Sequence, residues 1–460
     1  MNLDPSARVH FVGIGGAGMS AIAKVLMERG YTVSGSDLKA ARASAMLQAM
    51  GADIHEGHDA ALVDGAGAVI VSSAIPSANA EYRRAEELGV PLITRGEALA
   101  FLLADLRSIV VAGTHGKTTT TSMIVTILRN AGSDPTYLVG AGLNDVGTNA
   151  RAGSDDIAVA EADESDGSFL LLHPFVGVVT NMEMDHVDHW GSLAALEAAF
   201  GTFMEQVHPE GRLVLPGSNG LHRLAPTSGA EVTTFGVDGG DVHATDIRAH
   251  GEGISFTLHN DGRESSVDLR VPGVHNVANA LAGAAACLAV GVSLDDVAAG
   301  LSRYRGVERR FQRRGESRGV TVIDDYAHHP TEVKAVLAAA RSGPWKRVLA
   351  VFQPHRYTRT SALASQFGGS FADADRIVLM DVYGAGEQPV PGVSGKTIAD
   401  SVCNALPGRS VAYFPHRAEL IAYLERCTRP GDALLTLGAG DVTTVGEELL
   451  EKLGSRDEPG

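Results

Sequence analysis

The sequence predicts an α/β protein of three domains. These are a Rossmann-like N-terminal domain, a central P-loop ATPase-like α/β domain with an antiparallel hairpin region, and a Rossmann-like C-terminal domain. Three observations carry the prediction. Short apolar runs alternate with stretches of helical periodicity along most of the chain, the rhythm of parallel sheets with crossover helices. Two glycine-rich loops, "GIGGAG" at 13–18 and "GTHGKT" at 113–118, each follow an apolar run and open a helix. The chain has 460 residues, which at roughly 150 residues per domain favours three. The expected divisions are 1–107, 108–314 and 315–460.

The elements follow in order. "RVHFVGI" reads as a strand, and Ala17–Gly30 as a helix with Ile22, Val25, Leu26 and Met27 at helical spacing and a glycine stop. "YTVSGSD", "AGAVIVSSAI" and "VPLIT" are further strands, and "ADLR" at 104–107 marks a boundary. The second unit starts with strand Ser108–Ala112, the second glycine loop and helix Lys117–Ala131. "DIAVAEADESD" and "FVGVVTNMEMDH" are strands ending in acidic clusters. Residues 242–272 alternate and carry turn residues, predicting antiparallel hairpins. "HNVANALAGAAACLAVG" is helical, and the arginine-rich Arg303–Arg318 reads as a linker. The third unit repeats the pattern through "GVTVIDDYAHHP", a helix from Thr331, "KRVLAVFQPHRY", "RIVLMDVYGAGE" and "ALLTLGAGD"; the last few residues read as disordered.

Bulk chemistry excludes some functions. Against 38 basic side chains stand 55 acidic ones, a formal charge of −17, which disfavours coating nucleic acid. Cys287, Cys403 and Cys427 form no C-x-x-C pair and no disulfide framework, as expected in a reducing cytosol. No run approaches the roughly 20 apolar residues of a membrane span. The expected location is cytoplasmic, without nucleic-acid or membrane partners, and the expected state is monomer or homodimer.

The chemistry sits in the loops. Gly113, Gly116, Lys117 and Thr118 supply a phosphate loop at a strand-to-helix junction: inward backbone N–H groups, a lysine for the terminal phosphates and a hydroxyl for magnesium. Val111 stands where the longer Walker pattern has its first glycine. Gly13, Gly15 and Gly18 satisfy G-x-G-x-x-G, with Asp37 at the end of the next strand. That loop fits NAD, another nucleotide diphosphate, or a tight turn. Glu161, Asp163, Glu164 and Asp166 follow one strand; Asp185, His186, Asp188 and His189 follow another. Strand C-termini face the ligand crevice in such sheets. Glu161 suits a magnesium ion shared with Thr118, and His186 a second ion; Glu164 competes with Glu161 as the main ligand. "DDYAHHP" places Asp324, Asp325, Tyr326, His328 and His329 after a third strand, and "PHRYTR" places Arg356 and Arg359 after its neighbour. Arginines grip carboxylates bidentately, so these suit an amino acid or form a surface turn.

The order of the motifs is more informative than any one of them. GIGGAGMS, AGTHGKTTTT, EADESD, TNMEMDHVDH, PGVHNVANALA, GVERRFQ and DDYAHHPTE together resemble the Mur ligase family over nearly the whole chain. "HFVGIGGAGMS" and "EADESD" are most similar to members that join L-alanine to UDP-N-acetylmuramate. The resemblance implies an ATP- and Mg2+-dependent ligase of peptidoglycan precursor synthesis, acting through an acyl phosphate. It implies that Gly15, Gly16, Ala17, Gly18, Met19 and Ser20 cradle the UDP-sugar diphosphate, with Asp37, Ser72 and Ser73 at the UDP end. It implies that Ala112, Gly113, Thr114, His115, Gly116, Lys117, Thr118 and Thr119 hold ATP, with Asn276 and Asn279 facing adenine and Arg310 and Asp325 completing that site. Thr118, Glu161 and His186 would be metal ligands, and Lys117, Glu161, His186 and Arg310 the catalytic set. Tyr326, His328, Arg356 and Arg359 would border L-alanine. Several relatives carry a carbamylated lysine after the D-H motif; this chain has no lysine between Lys117 and Lys334, which excludes one there. Two other readings stand beside this one: a recycling ligase of the same family that adds a murein tripeptide, and a nucleotide-regulated NAD-binding sensor.

Overall fold

In a computed structural model, residues 3–39, 42–218, 220–226 and 229–454 are described. The extreme C-terminus, read as disordered from sequence, lies outside them. The strands form three sheets. The first contains β1 (Arg8–Val12), β2 (Val33–Asp37), β3 (Asp53–Glu56), β4 (Ala66–Val71) and β5 (Leu92–Thr94), all parallel, in the order β3-β2-β1-β4-β5. The order reverses at β1, so the turn after it, Gly13–Gly16, opens into a crevice at the sheet's C-terminal edge.

The second sheet has ten strands. They are β6 (Arg107–Ala112), β7 (Thr136–Leu138), β8 (Ala150–Arg151), β9 (Ile157–Glu161), β10 (Val176–Val179), β11 (Arg212–Pro216), β12 (Glu231–Gly236), β13 (Val242–His250), β14 (Gly253–Asn260) and β15 (Arg263–Leu269). Their order is β15-β14-β13-β12-β11-β10-β6-β9-β7-β8, with β13, β14 and β15 antiparallel as the hairpin signals predict. Central β6 is flanked by β9 and β10, in registers Val111↔Glu161 and Ala112↔Val179. One register therefore delivers the phosphate loop, Glu161 and the segment leading to His186 to the same edge. Ile109, Val110, Val111 and Ala112 are fully buried, as expected for a strand covered on both faces. Helix Lys117–Asn130 packs on helix Val274–Ala289, where small residues permit close approach.

The third sheet contains β16 (Gln312–Ser317), β17 (Val320–Asp325), β18 (Arg347–Phe352), β19 (Arg376–Leu379), β20 (Ser410–Tyr413) and β21 (Asp432–Leu437), in the order β16-β17-β21-β18-β19-β20. β16 corrects the linker reading of Arg303–Arg318, and it runs across the division placed after 314. It is an antiparallel edge strand whose arginines point outward, so its polarity resembles a linker. Likewise β6 already begins at Arg107. Among the described residues no helix is long and apolar enough to cross a membrane.

Candidate active site

The C-terminal edges of the sheets meet around a cavity of about 370 Å³ lined by Gly18, Lys117, Glu161, His186, Arg310 and Arg359, among others. Two further cavities adjoin it. One, of about 650 Å³, runs from Gly15, Ala17 and Ser20 to Thr118, Glu161 and Arg310. The other, of about 340 Å³, is lined by Gly116, Thr119, Asn276, Asn279 and Asp325. Thr118, Glu161 and Arg310 line both the first and the second, and His115, Gly116, Arg310 and Glu332 both the first and the third, so the spaces are parts of one crevice.

The phosphate loop owes its shape to two glycines. Gly113 has φ +133°, and a Cβ there would lie 2.1 Å from Thr180 Oγ1. Gly116 has φ +80°, and a Cβ would lie 2.3 Å from Asn279 Oδ1. Only glycine combines such backbone angles with such close approach. The Asn279 contact also explains how helix Val274–Ala289 reaches the loop. Ala112 is fully buried at the end of β6, and Thr114 and Thr119 are nearly so.

Lys117 Nζ folds back over the loop, donating to Gly113 O at 2.6 Å and lying 2.7 Å from Glu164 Oε2. Burial alone would lower the Lys117 pKa, but Glu164, Glu161 and Asp163 outweigh it and raise it. Burial pushes the Glu164 carboxyl up to about 7 despite Lys117 beside it. Thr118 Oγ1 donates to Glu161 at 2.9 Å, and Gly140 N–H donates to the same carboxylate at 2.9 Å. His186 Nε2 lies 3.9 Å from Glu164 and 3.7 Å from Asp185. Burial lowers its pKa, so neutral imidazole is favoured. An oxygen pair from Thr118 and Glu161 beside a neutral imidazole fits a magnesium ion.

The C-terminal domain closes the other wall. Arg359 donates from Nε and Nη2 to the two oxygens of Asp185, 3.1 Å each, and from Nη1 to His355 Nδ1 at 3.2 Å. His328 and His355 are pushed down to about 4 and about 3, chiefly by burial. The Arg309 and Arg310 guanidinium groups lie 4.9 and 5.2 Å from the Tyr326 ring centroid. Asp325 accepts from the N–H groups of Phe311 and Ala327, and burial raises it to about 6. Four non-glycine residues around the crevice, His186, Arg309, Phe311 and Arg356, have left-handed backbones, strain of a kind that clusters at functional sites.

The N-terminal loop residues group together across the crevice from the phosphate loop, Gly18 sharing a cavity with Lys117. Gly15 N–H donates to Asp37 Oδ2 at 2.8 Å, and a Cβ on Gly13 would lie 3.2 Å from Ser72. Gly16 caps helix Ala17–Glu28, and Ser73 is exposed. Met19 is buried in the N-terminal core, and its Cγ lies 4.0 Å from where a Cβ on Gly16 would be. Asn276 and Asn279 share a hydrogen bond of 3.3 Å at the third cavity.

Some participants carried no sequence signal. Arg95 donates to Asp163 and Asp166 and so fixes the acidic loop against the N-terminal domain. Glu183 and Glu332 flank His115, at 3.4 and 3.2 Å. Glu332 stands at the third helical position after His329, where it reads as a capping-box residue.

Three family models match consecutive stretches: Mur ligase family, catalytic domain, at residues 8–107; Mur ligase middle domain at 111–287; and Mur ligase, glutamate ligase domain at 309–440. The UDP-N-acetylmuramate–L-alanine ligase of Rubrobacter xylanophilus is 47% identical over 97% of this chain and 100% of that one. That of Geotalea daltonii is 44% identical over 97% and 98%. Among solved structures, a UDP-N-acetylmuramate-alanine ligase from Thermotoga maritima superposes with a TM-score of 0.83 at 29% identity, covering 98% and 100% of the two chains. A murein peptide ligase from Psychrobacter arcticus gives 0.73 at 25% identity, covering 99% and 100%.

Proposed function

The chain belongs to the Mur ligase family, and from that premise we propose the following reaction. It joins L-alanine to the lactyl carboxylate of UDP-N-acetylmuramate with conversion of ATP to ADP and phosphate, in the cytoplasm, for peptidoglycan synthesis. The relatives at 44–47% identity over nearly full length are named as ligases of UDP-N-acetylmuramate and L-alanine. The observation that carries the reading in this chain is convergence. Lys117, the Thr118–Glu161 pair and His186 from one domain face Tyr326, Arg356 and Arg359 from another across a single cavity.

A carboxylate and an amine do not condense at neutral pH, because hydroxide leaves poorly. Transfer of the γ-phosphoryl group to the lactyl carboxylate gives an acyl phosphate. The alanine amine attacks its carbonyl carbon, and phosphate leaves with the C–O bond electrons. Little covalent chemistry falls to the protein; its part is positioning and charge neutralisation.

Lys117 exchanges its contact with Glu164 for the terminal phosphates. Thr118, Glu161 and His186 would hold magnesium, which when bound neutralises phosphate oxygens. Asn276 and Asn279 line the adenine pocket, and Arg310 and Asp325 close it from the third sheet. Gly15 to Ser20, with Asp37 and Ser72, receive the UDP end, and the larger cavity carries the sugar acid toward Thr118. Arg356 takes the alanine carboxylate, while Arg359, tied to Asp185, holds that wall in place. Neutral His328 and His355 leave the wall without extra positive charge.

The test is phosphate release from the full chain with ATP, magnesium, UDP-N-acetylmuramate and one amino compound at a time. Release with L-alanine supports the reading. Release with the murein tripeptide but not L-alanine would reassign the protein to recycling, and NAD binding without release would make it a sensor.

A further inference from the structure

We propose that His115, Glu183 and His329 form a site for a divalent transition metal of the zinc class, bridging the central and C-terminal domains. Their ligand atoms all lie within 4.8 Å of one another. Glu183 Oε2 is the common point, 3.4 Å from His115 Nε2 and 3.8 Å from His329 Nδ1. Zinc bonds of about 2.1 Å in a tetrahedron put neighbouring ligand atoms about 3.4 Å apart, so only small side-chain movements are needed.

The surroundings are those of a ligand set. Glu332 Oε1 lies 3.2 Å from His115 Nδ1, the carboxylate–histidine arrangement that orients the other ring nitrogen toward a metal. Thr331 Oγ1 donates to Glu183 Oε2 at 2.7 Å and fixes that carboxylate. His329 is 2% exposed, its Nε2 has no hydrogen-bond partner, and its Nδ1 accepts from Thr331 N–H at 3.4 Å in a capping box that also takes the Glu332 N–H. His115 Nε2 is also buried without a hydrogen bond. The two rings are 4.6 Å apart.

Two imidazoles and one carboxylate suit a borderline metal; magnesium prefers oxygens and keeps waters. Glu183 lines the third cavity and His115 lies between the third and the first, but the cluster shares no residue with Thr118, Glu161 and His186, so it is distinct from the magnesium set. Burial would lower His115, but Glu332 and Glu183 raise it to about 9; the metal takes the place of that proton. His329 caps helix Pro330–Arg341, whereas His115 and Glu183 belong to the central domain. A metal here therefore ties the domains together and slows their opening, which makes it inhibitory.

The test uses the full chain without nucleotide, dialysed against micromolar Zn2+ in excess Mg2+, with bound zinc measured. The expected result is one zinc per chain. His329→Ala and Glu183→Gln should each weaken binding at least tenfold, and Glu332→Gln by about 10–100-fold. Co2+ should give a visible absorption band in the wild type that both ligand variants lose. Circular dichroism checks folding, and Glu183→Gln decides if His329→Ala misfolds. Absence of stoichiometric zinc overturns the proposal. So does zinc that survives both ligand variants but is lost in His186→Asn, which would place it in the magnesium set. The outcome does not depend on ligase activity.

Discussion

Asp185→Asn probes the junction on which closure of the site depends. Asp185 has a side chain 10% exposed and is held by two Arg359 nitrogens at 3.1 Å. Burial pushes its carboxyl up, but Arg359 and His186 outweigh burial and hold it at about 2, against an ordinary 3.8. That difference corresponds to about 2.5 kcal/mol favouring the closed arrangement, taking an open form in which the carboxyl is solvated. The variant should therefore lower the closed-to-open ratio by up to about 70-fold, less whatever hydrogen bonding the amide retains. The sign with pH follows. A depressed carboxyl stabilises fully above the ordinary value and loses its effect as pH falls through about 2. The difference between wild type and variant should thus stay constant from pH 8 to pH 5. Small-angle scattering of both proteins over that range measures it as a larger radius of gyration for the variant. An unchanged radius, or a difference that disappears between pH 8 and pH 6, would refute the reasoning.

Other perturbations separate the parts of the site. Lys117→Ala should abolish turnover while UDP-N-acetylmuramate still binds, as calorimetry would show; loss of sugar binding as well would contradict separate sites. Gly113→Ala puts a side chain at φ +133° and 2.1 Å from Thr180 Oγ1, a backbone cost of about 1–3 kcal/mol before the clash. ATP affinity should fall at least tenfold, read by nucleotide titration, with sugar binding kept. Asp37→Ala removes the acceptor of the Gly15 N–H; KM for the sugar nucleotide should rise and ATP affinity should not change. Lys24→Met removes bonds to Thr148 Oγ1 and Ala150 O, 2.6 and 2.7 Å, that join the first two domains. Thermal unfolding should show a loss of about 1–3 kcal/mol.

What the sequence made legible follows from how each feature is encoded. The phosphate loop was readable because its glycines, lysine and threonine fall within six residues and the end of the strand before them, Ile109 to Ala112, is apolar. The hairpin region was readable because its alternation has period two. β16 was not, since an edge strand carrying arginines on its open side has the composition of a linker. β3 was missed for the same reason: three of its four residues are exposed. The Lys117–Glu164 pair joins residues 47 apart, and Arg359–Asp185 joins residues 174 apart. Spacing along a chain says nothing about such contacts.

The central claim is that one cavity activates the sugar carboxylate with the γ-phosphoryl group before the amine arrives. UDP-N-acetylmuramate labelled with oxygen-18 in its lactyl carboxylate, turned over with ATP and L-alanine, tests this most directly. Mass analysis of the released phosphate should find one labelled oxygen per turnover from fully labelled carboxylate. Phosphate free of the label would contradict the account.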